Sequence, residues 1–307
     1  MNHWNSEIDH MNPTQKWCEL CPACGSITAR SIKYRFKHGH WVYKCTSCKL
    51  RYVNPQPSDA SIFQLYNSDY FQAGGFDSYG YKNYKKLLKL KRFTFTRWLC
   101  ELEASAQKGR LLEIGCASGV FLEIAEKRGW EVTGVDVSRD AAEEGRRKGL
   151  NIYDGTLREN LSHLRDYDVV LMLDAFEHMR NPLECLESVY KVLRPGGIVY
   201  IITPNAGSAS ARILGVEWPH LKPKEHLCLF TKRSMRIIIE RTGFELIKIS
   251  ISRKIITFDH LIEELPNSMA IKFLAFSCKV LPFLRGRKFY LPLGEMRVAA
   301  KKSSNRT

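Results

Sequence analysis

Three groups of side chains in this sequence have the types and spacing that chemistry needs. The first is an acid with two glycines, Glu113-Ile114-Gly115-Cys116-Ala117-Ser118-Gly119, followed about twenty residues on by a second acid, Asp136. Carboxylates accept hydrogen bonds from hydroxyl pairs and attract cations, and glycine lets backbone come close to a ligand. The second group is Asp174, Glu177 and His178, which with His226 offer carboxylates and imidazoles able to take up a proton near neutral pH. The third is two Cys-x-x-Cys pairs, Cys21/Cys24 and Cys45/Cys48, with twenty residues between them. Four thiolates at that spacing close a tetrahedron around zinc and leave no open position, so the metal they imply is structural and not catalytic.

The elements around the first group fix its meaning. Leu111 and Leu112 lead an apolar run into Glu113, and a helical pattern begins at Val120-Phe121 and recurs at Ile124-Ala125. Residues 131–136 form a second strand ending in Asp136. Strand, glycine turn and helix seat a nucleotide-like cofactor at the carboxyl edge of a parallel sheet, and an acid ending the second strand meets ribose hydroxyls. The loop departs from the dinucleotide fingerprint, because Ala117 replaces its middle glycine. Glu113 at the loop entrance is a poor neighbour for a pyrophosphate and suits a ligand that carries positive charge. S-adenosylmethionine meets both demands, with an adenosine end for Asp136 and a cationic methionine end near Glu113.

Residues 167–174 read as a buried strand, followed by Ala175-Phe176-Glu177-His178. Asn181-Pro182 starts a helix whose apolar face is Leu183, Leu186, Val189, Tyr190 and Leu193. Arg194-Pro195-Gly196-Gly197 stops it, and residues 198–205 form the next strand, ending Thr203-Pro204-Asn205. With the Glu113 loop and Asp136, this ordered set resembles the class I S-adenosylmethionine-dependent methyltransferases over roughly residues 110–244. The resemblance implies an α/β fold: a Rossmann-like seven-stranded methyltransferase sheet with helices on both faces. It implies cofactor contacts from Glu113, Gly115, Cys116, Gly119, Asp136, Val137, Gly155, Thr156 and Asp174. It also puts Asp174, Glu177 and His178 at the edge that the cofactor's methyl group faces, with His178 or His226 as proton acceptor. In the ubiquinone O-methyltransferases, which this segment resembles, a similar acid-x-x-Glu-His run is associated with a divalent cation. Such a cation is therefore an expectation here, although the first acid is the shorter Asp. The alternative is that Glu177-His178 only pins the loop before Asn181.

The rest of the chain supplies the remaining elements. Ser138 caps a helix that stops near Gly149, and residues 151–154 give a short third strand. A helix from Thr231 carries Met235, Ile238 and Ile239 on one face and stops at Gly243. Strand six spans 244–251, and residues 295–300 form the last strand, antiparallel by family resemblance. Residues 254–293 between them are an insertion on the substrate side, and residues 301–307 read as a disordered tail. Boundaries follow at 1–57 for a small N-terminal four-cysteine zinc ribbon, 58–105 for a helical linker or lid, and 106–307 for the methyltransferase domain. The knuckle pair, the prolines Pro55 and Pro57, and the segment 224–231 around His226 resemble one subgroup of these enzymes, often associated with polysaccharide, sugar or small-molecule biosynthesis. Cys18 is a spare thiol, and Cys100, Cys116, Cys185, Cys228 and Cys278 read as packed core thiols.

A chain of 307 residues with 44% hydrophobic content supports a real core. Its first fifteen residues are polar and mixed, which points to a cytosolic protein and against a disulfide framework. The net charge of +15 gathers partly in Lys82, Lys85, Lys86, Lys89, Lys91, Arg92 and Arg97. These read as the solvated face of an amphipathic helix over the cofactor site; the alternatives are attraction to RNA, to an anionic lipid surface or to a nucleotide-linked substrate. An interrupted apolar run at 268–285 is too short for a membrane span; it fits peripheral contact with the inner membrane face, or a roof over the active site. The expected substrate is a small molecule or a sugar or glycoconjugate precursor, methylated on oxygen. The competing reading is an RNA methyltransferase in which ribbon and basic helix bind nucleic acid; strand four is not followed by an Asn-Pro-Pro-Tyr-type motif for a flipped base.

Overall fold

The computed structural model describes residues 15–16, 18–28, 31–37, 40–57, 84–257 and 287–303. The expectations for residues 58–83, the run at 268–285, Cys278 and the last four residues lie outside the described residues, as do Lys82 and the side chains of Lys85 and Lys86.

The strands β6 (Arg110–Ile114), β7 (Glu131–Asp136), β8 (Ile152–Asp154), β9 (Tyr167–Leu173), β10 (Leu193–Pro204), β12 (Phe244–Ile251) and β15 (Glu295–Lys302) form one sheet. Their order is β12-β15-β10-β9-β6-β7-β8. β15 slots between β10 and β12, antiparallel to both, while the pairs from β10 to β8 are parallel. This is the expected seven-stranded sheet. The last strand runs two residues past its expected end, so Lys301 and Lys302 are sheet and not tail.

Alternation along the central strands sends successive side chains to opposite faces. Leu112, Val170, Met172, Val199 and Ile201 pack with Leu186 and Val189 of α4 (Pro182–Val192) and with Met235 and Ile238 of α6 (Lys232–Arg241). Leu111, Val169, Leu171, Tyr200 and Ile202 face the other way. They meet Trp98 and Leu99 of α1 (Tyr84–Glu103), Phe121 and Leu122 of α2 (Val120–Glu126) and Ala142 of α3 (Arg139–Arg147). The caps at Ser138 and Asn181 are as expected, and the helix expected from Thr231 has that residue as its cap. The Ser138 hydroxyl accepts from the Ala141 amide, Asn181 from Glu184, and Thr231 from Ser234 in a full capping box. α4 ends at Val192, and Arg194-Pro195-Gly196-Gly197 is an irregular entry into β10, whose register shifts between Leu193 and Ile198. The short α5 (Ala209–Leu214) follows β10.

The N-terminal part forms a smaller sheet from β2 (Ile32–Lys37), β3 (His40–Lys44) and β4 (Arg51–Val53). Its fourth strand is not local. β11 (Cys228–Leu229), from the segment after His226, pairs antiparallel with β4, in the order β11-β4-β3-β2. The boundary at residue 57 is therefore no break in packing. Cys21, Cys45, Cys48, Leu50 and Tyr52 belong to the same buried cluster as Phe176, Phe230 and Met235. β1 (Gln15–Lys16) pairs with β5 (Gln56–Pro57) beside it. The two ends of the insertion, β13 (Lys254–Thr257) and β14 (Lys288–Leu291), pair antiparallel. They dock on α1: the Ile255 amide donates to Thr94 Oγ1 at 2.9 Å and Tyr290 Oη to Glu101 at 2.9 Å.

Among the expected core thiols, Cys116 and Cys228 are buried and Cys185 is half-buried. Cys100 is exposed, because it falls on the outer face of α1 while Trp98, Leu99 and Leu102 take the inner one. Among the described residues no helix is long and apolar enough to cross a membrane.

Phe176 and Phe230, both fully buried, stack at 4.8 Å between ring centroids and join the loop after β9 to the segment after β11. Phe230→Ala should cost about 3–5 kcal/mol of stability, read as a lowered midpoint in denaturant melts. An unchanged midpoint would show that this contact holds nothing together.

Candidate functional site

The loop between β6 and α2 turns through positive φ at Gly115 (75°), Ala117 (48°) and Gly119 (77°). Gly115 has no room for a side chain, since a Cβ there would stand 2.7 Å from Ala175 Cβ. That contact brings the Glu113 loop against the segment that begins at Asp174. Asp136 closes the other side. Its Oδ2 accepts from the Ala117 amide at 2.6 Å and its Oδ1 from the Ser138 amide at 2.9 Å, so its carboxylate brackets the two turns. Burial raises its pKa, and these amides oppose the rise. Val137 lies between Asp136 and Ser138 in the chain, and the Gly155 amide donates to the Asp136 carbonyl at 2.9 Å. Thr156 stands next along, but its amide and hydroxyl both donate to Glu159 Oε2, at 2.7 and 2.8 Å. Cys116 is buried within the loop, and burial lifts its thiol far above the usual range.

Glu113 is 3% exposed, and its Oε2 has no hydrogen-bond partner among the described residues. Burial first, then the charge of Asp136, raises its pKa well above that of an ordinary carboxyl, while Lys91 pulls it down. A buried carboxyl oxygen without a partner costs free energy that a cationic ligand would relieve. The expected ligand thus fits the residues present.

The second group divides. Asp174, at φ 54°, accepts from Lys254 Nζ at its Oδ2 at 2.8 Å, and Lys254 also meets Glu295 Oε1 at 2.5 Å. Burial would raise the Asp174 pKa, but Lys254 outweighs it and holds the group below its ordinary value. Glu177, 1% exposed, accepts from Thr203 Oγ1 at 2.9 Å, and burial with the charge of Asp174 pushes it up to about 8. The rings of His178 and His226 meet edge-on at 4.9 Å. His178 Nδ1 lies 2.9 Å from the Glu225 carbonyl and His226 Nδ1 2.7 Å from the His220 carbonyl. A carbonyl only accepts, so both Nδ1 atoms carry the proton, and His226 Nε2 keeps a lone pair for a proton or a metal.

The near-neutral titration expected of these imidazoles is not kept. Burial lowers His178 to about 4, and burial with the neighbouring histidines takes His226 well below its ordinary value. Both are neutral bases in the resting site. One ligand atom each from Glu177, His178 and His226 lies within 4.8 Å of the others, a set able to hold a metal ion. Asp174 is not part of that set and belongs to Lys254.

Four participants escape a reading of the sequence alone. Lys254 and Glu295 are far apart in the chain and meet only through the sheet order. His220 stacks at 6.3 Å on His226 and reaches Glu295 at 4.0 Å. Lys91, one of the lysines read as a solvated face, is half-buried and turned inward. Burial lowers its ammonium to about 8 against the pull of Asp174, Glu113 and Glu295. The only available signals are its place among leucines and the position of Lys254 at the start of the insertion.

The four knuckle cysteines converge as expected, with their sulfurs all within 4.8 Å of one another. Cys21 and Cys48 Sγ stand 3.6 Å apart, as do Cys24 and Cys45. A tetrahedron with metal–sulfur bonds of about 2.3 Å has edges of about 3.8 Å, so the quartet fits zinc without rearrangement. The knuckles share one turn: the Gly25 amide donates to Cys21 O and the Lys49 amide to Cys45 O, and both residues have positive φ. The hydrogen bond between Cys48 and Cys21 lowers the Cys21 thiol and raises that of Cys48, and burial raises Cys45, so without a metal one thiolate forms most readily, at Cys21. Cys18 stands outside the quartet, its amide bonded to Asn54 Oδ1 at 2.8 Å.

With this geometry in view, the sheet order and the glycine loop define a class I methyltransferase fold. Residues 82–249 match the family model described as a methyltransferase domain, and the chain belongs to that family. Ubiquinone biosynthesis O-methyltransferase of Aeromonas salmonicida is 31% identical over 132 residues, covering 39% of this chain and 55% of that protein. The protein of the same description from Cereibacter sphaeroides (strain ATCC 17025 / ATH 2.4.3) is 36% identical over 120 residues, covering 36% and 47%. The chain thus spans about half the length of the curated relatives it matches. The crystal structure of a SAM dependent methyltransferase from Archaeoglobus fulgidus covers 72% of this chain and 100% of its own at a TM-score of 0.50 and 24% identity, a likeness of fold.

Elemental analysis of protein prepared without chelator should find zinc bound in the cysteine quartet. The Cys45→Ser/Cys48→Ser variant should lose it together with stability, because the quartet lies inside the main buried cluster. Zinc retained at full stoichiometry in that variant would overturn the assignment.

Proposed function

We propose that this chain is an S-adenosylmethionine-dependent methyltransferase acting on a small hydroxylated molecule or a sugar or glycoconjugate precursor. The observation that carries the reading is the partnerless buried carboxyl of Glu113, at the mouth of a glycine loop bracketed by Asp136. In this reading Glu113 faces the cationic methionine end, while Gly115, Cys116 and Gly119 form the cradle. Asp136, Val137, Gly155 and Thr156 line the adenosine side. The bound cofactor would supply an electrophilic methyl group on a sulfonium.

The chain's own work is then to align a nucleophile and take its proton. His226 Nε2, neutral and fixed in tautomer by the His220 carbonyl, is the proton acceptor, with His178 edge-on beside it. A base of this kind suits a hydroxyl acceptor, and the matched relatives are O-methyltransferases by name. Asp174 and Lys254 hold the loop after β9 in place, with Asp174 at the cofactor's edge. A divalent cation on Glu177, His178 and His226 is the second way to activate a hydroxyl here, using the same nitrogen as a ligand. The zinc of the cysteine quartet is structural.

Incubation with labelled S-adenosylmethionine and pools of small hydroxylated metabolites, read by mass, tests the function; failure to bind the cofactor at all would end it. Calorimetry in two buffers of different ionisation enthalpy should show proton release on binding. The ligand-free Glu113 carboxyl has a raised pKa, and a cation beside it favours ionisation, so affinity should rise with pH until ligand-free Glu113 ionises. Glu113→Gln should flatten that dependence. A wild type with no pH dependence would remove Glu113 from the site.

His226→Ala should keep cofactor affinity and lose turnover by roughly 10²-fold or more. Activity that survives chelation assigns the residue as base, and activity lost to chelator and restored by a divalent cation assigns it as ligand. Full turnover in the variant contradicts both.

A further inference from the structure

Between the cysteine module and the carboxyl edge of the large sheet lies a cleft of about 830 Å³. Six cations line it: Lys44, Lys49 and Arg51 from the module, and Arg212, Lys232 and Arg233 from the methyltransferase side. The carboxylate on the lining, Glu295, is 3% exposed and already bound to Lys254, so it does little to offset them. Among the described residues no carboxylate pairs with Lys44, Lys49, Arg212, Lys232 or Arg233. Cations gathered in a concave site focus a positive potential into it.

Neutral donors accompany the charges. Lys232 and Arg233 occupy the first turn of the ten-residue α6, where backbone amides have no acceptor within the helix. Ser208 and Ser210 line the floor, their hydroxyls 3.0 Å apart. Both close on Gly294, where a Cβ would stand 2.4 Å from Ser210 Oγ and 3.5 Å from Trp218 Nε1.

The cleft adjoins the candidate site through one lining residue, Glu295. Glu295 pairs with Lys254, which also pairs with Asp174, and stands 4.0 Å from His220, the neighbour of His226. A ligand held on the cations therefore lies next to the ion pairs at the edge of that site. The cleft's size fits a compact ligand with two adjacent phosphoryl groups. Arginine and lysine together with backbone amides and hydroxyls are the donor set that recognises such groups.

We infer that the methyl acceptor is a diphosphate ester whose phosphoryl groups seat in this cleft, with the cysteine module supplying one wall of the site. The inference rests on the methyltransferase reading and adds the substrate's anionic handle. It also gives the structural metal a consequence. Lys49 directly follows Cys48 in the second knuckle, at φ 68°, and its ammonium donates to the Thr46 carbonyl at 2.5 Å, so the metal turn holds it in place.

Calorimetry of the full chain with inorganic diphosphate, uridine diphosphate and geranyl diphosphate at low salt tests it, with S-adenosylmethionine titrated separately. Binding of diphosphate is expected. Tighter binding of the uridine or of the geranyl compound tells whether a nucleoside or a lipid carries the group. Lys232→Glu/Arg233→Glu on one wall and Lys44→Glu/Lys49→Glu on the other should each weaken binding by about tenfold or more while leaving cofactor affinity unchanged. The first pair lies on an exposed helix end, so it keeps the test decisive if the second disturbs the module. No diphosphate binding at low salt, or wild-type affinity in the Lys232→Glu/Arg233→Glu variant, overturns the inference. So does a single-stranded RNA that binds more tightly than every diphosphate with a steep loss in salt. Because cofactor binding is measured on its own, loss of the cleft and loss of the methyltransferase reading give different results.

Discussion

Cys228 pairs with Tyr52 and Leu229 with Arg51, and the Val53 amide donates to the Leu227 carbonyl at 2.9 Å. This short stretch of backbone ties the cysteine module to the loop that carries the histidines. One residue upstream of Leu227 is His226; one residue downstream of Leu229 is Phe230, stacked on Phe176 beside Glu177. On the module side Leu50 donates its amide to Cys48 Sγ and is wholly buried before β4 begins. A path of a few bonded or packed residues thus runs from the metal knuckle to the imidazole. The module is not an appendage: its core is the methyltransferase core, and β11 leaves its sheet incomplete without the larger domain.

The same seam explains why so many charges can be buried at the strand ends. Glu177, Glu113 and Glu295 are buried and Asp174 is half-buried beside them, and four ionised carboxylates together would repel strongly in a low dielectric. Lys254 answers two of them directly and Lys91 adds a second positive charge nearby. Both lysines come from elements that cover the sheet edge, α1 and the β13–β14 hairpin, so the cover is held by charge as well as by contact. The Trp98 indole donating to the Arg253 carbonyl at 2.9 Å fixes the hairpin beside that helix. A buried pair of this kind contributes little net stability and much to position, because breaking it strands the remaining charge.

Much of this was legible in the sequence, for local reasons. Glycine loop, strand-end acids, caps at Ser138, Asn181 and Thr231, and the two knuckles each write their signal within a few residues. Strand six was readable to the residue because Gly243 punctuates its start and its apolar pattern ends at Ile251. The features that stayed hidden are those made by distance. β11 is two residues long and has no periodicity to detect. Glu295 and Lys254 meet because β15 inserts between β10 and β12, a matter of strand order and not of pattern. Lys91 sits among lysines and leucines that satisfy an amphipathic helix equally well with it facing out. The depressed imidazoles could not be foreseen either, since burial and the stacking of three histidines exist only in the folded chain.

The titration directions in the site share one cause and together set its resting state. Burial favours the neutral form of every group, so Glu113 and Glu177 lean toward keeping a proton and the histidines toward losing one. Asp174 alone is held ionised, by Lys254. A proton arriving on His226 would make an imidazolium in a place that resists it, and the resistance comes from missing water and from neighbouring histidines. What offsets that resistance is negative charge close by. Asp174 supplies some, and Glu177, among the same ring of ligand atoms as His226, supplies more once it has ionised. In the proposed reaction the histidine therefore accepts a proton most readily when Glu177 has already released its own. A cation placed among these three groups would reach the same end by another route, displacing the Glu177 proton and making the imidazole's basicity unnecessary.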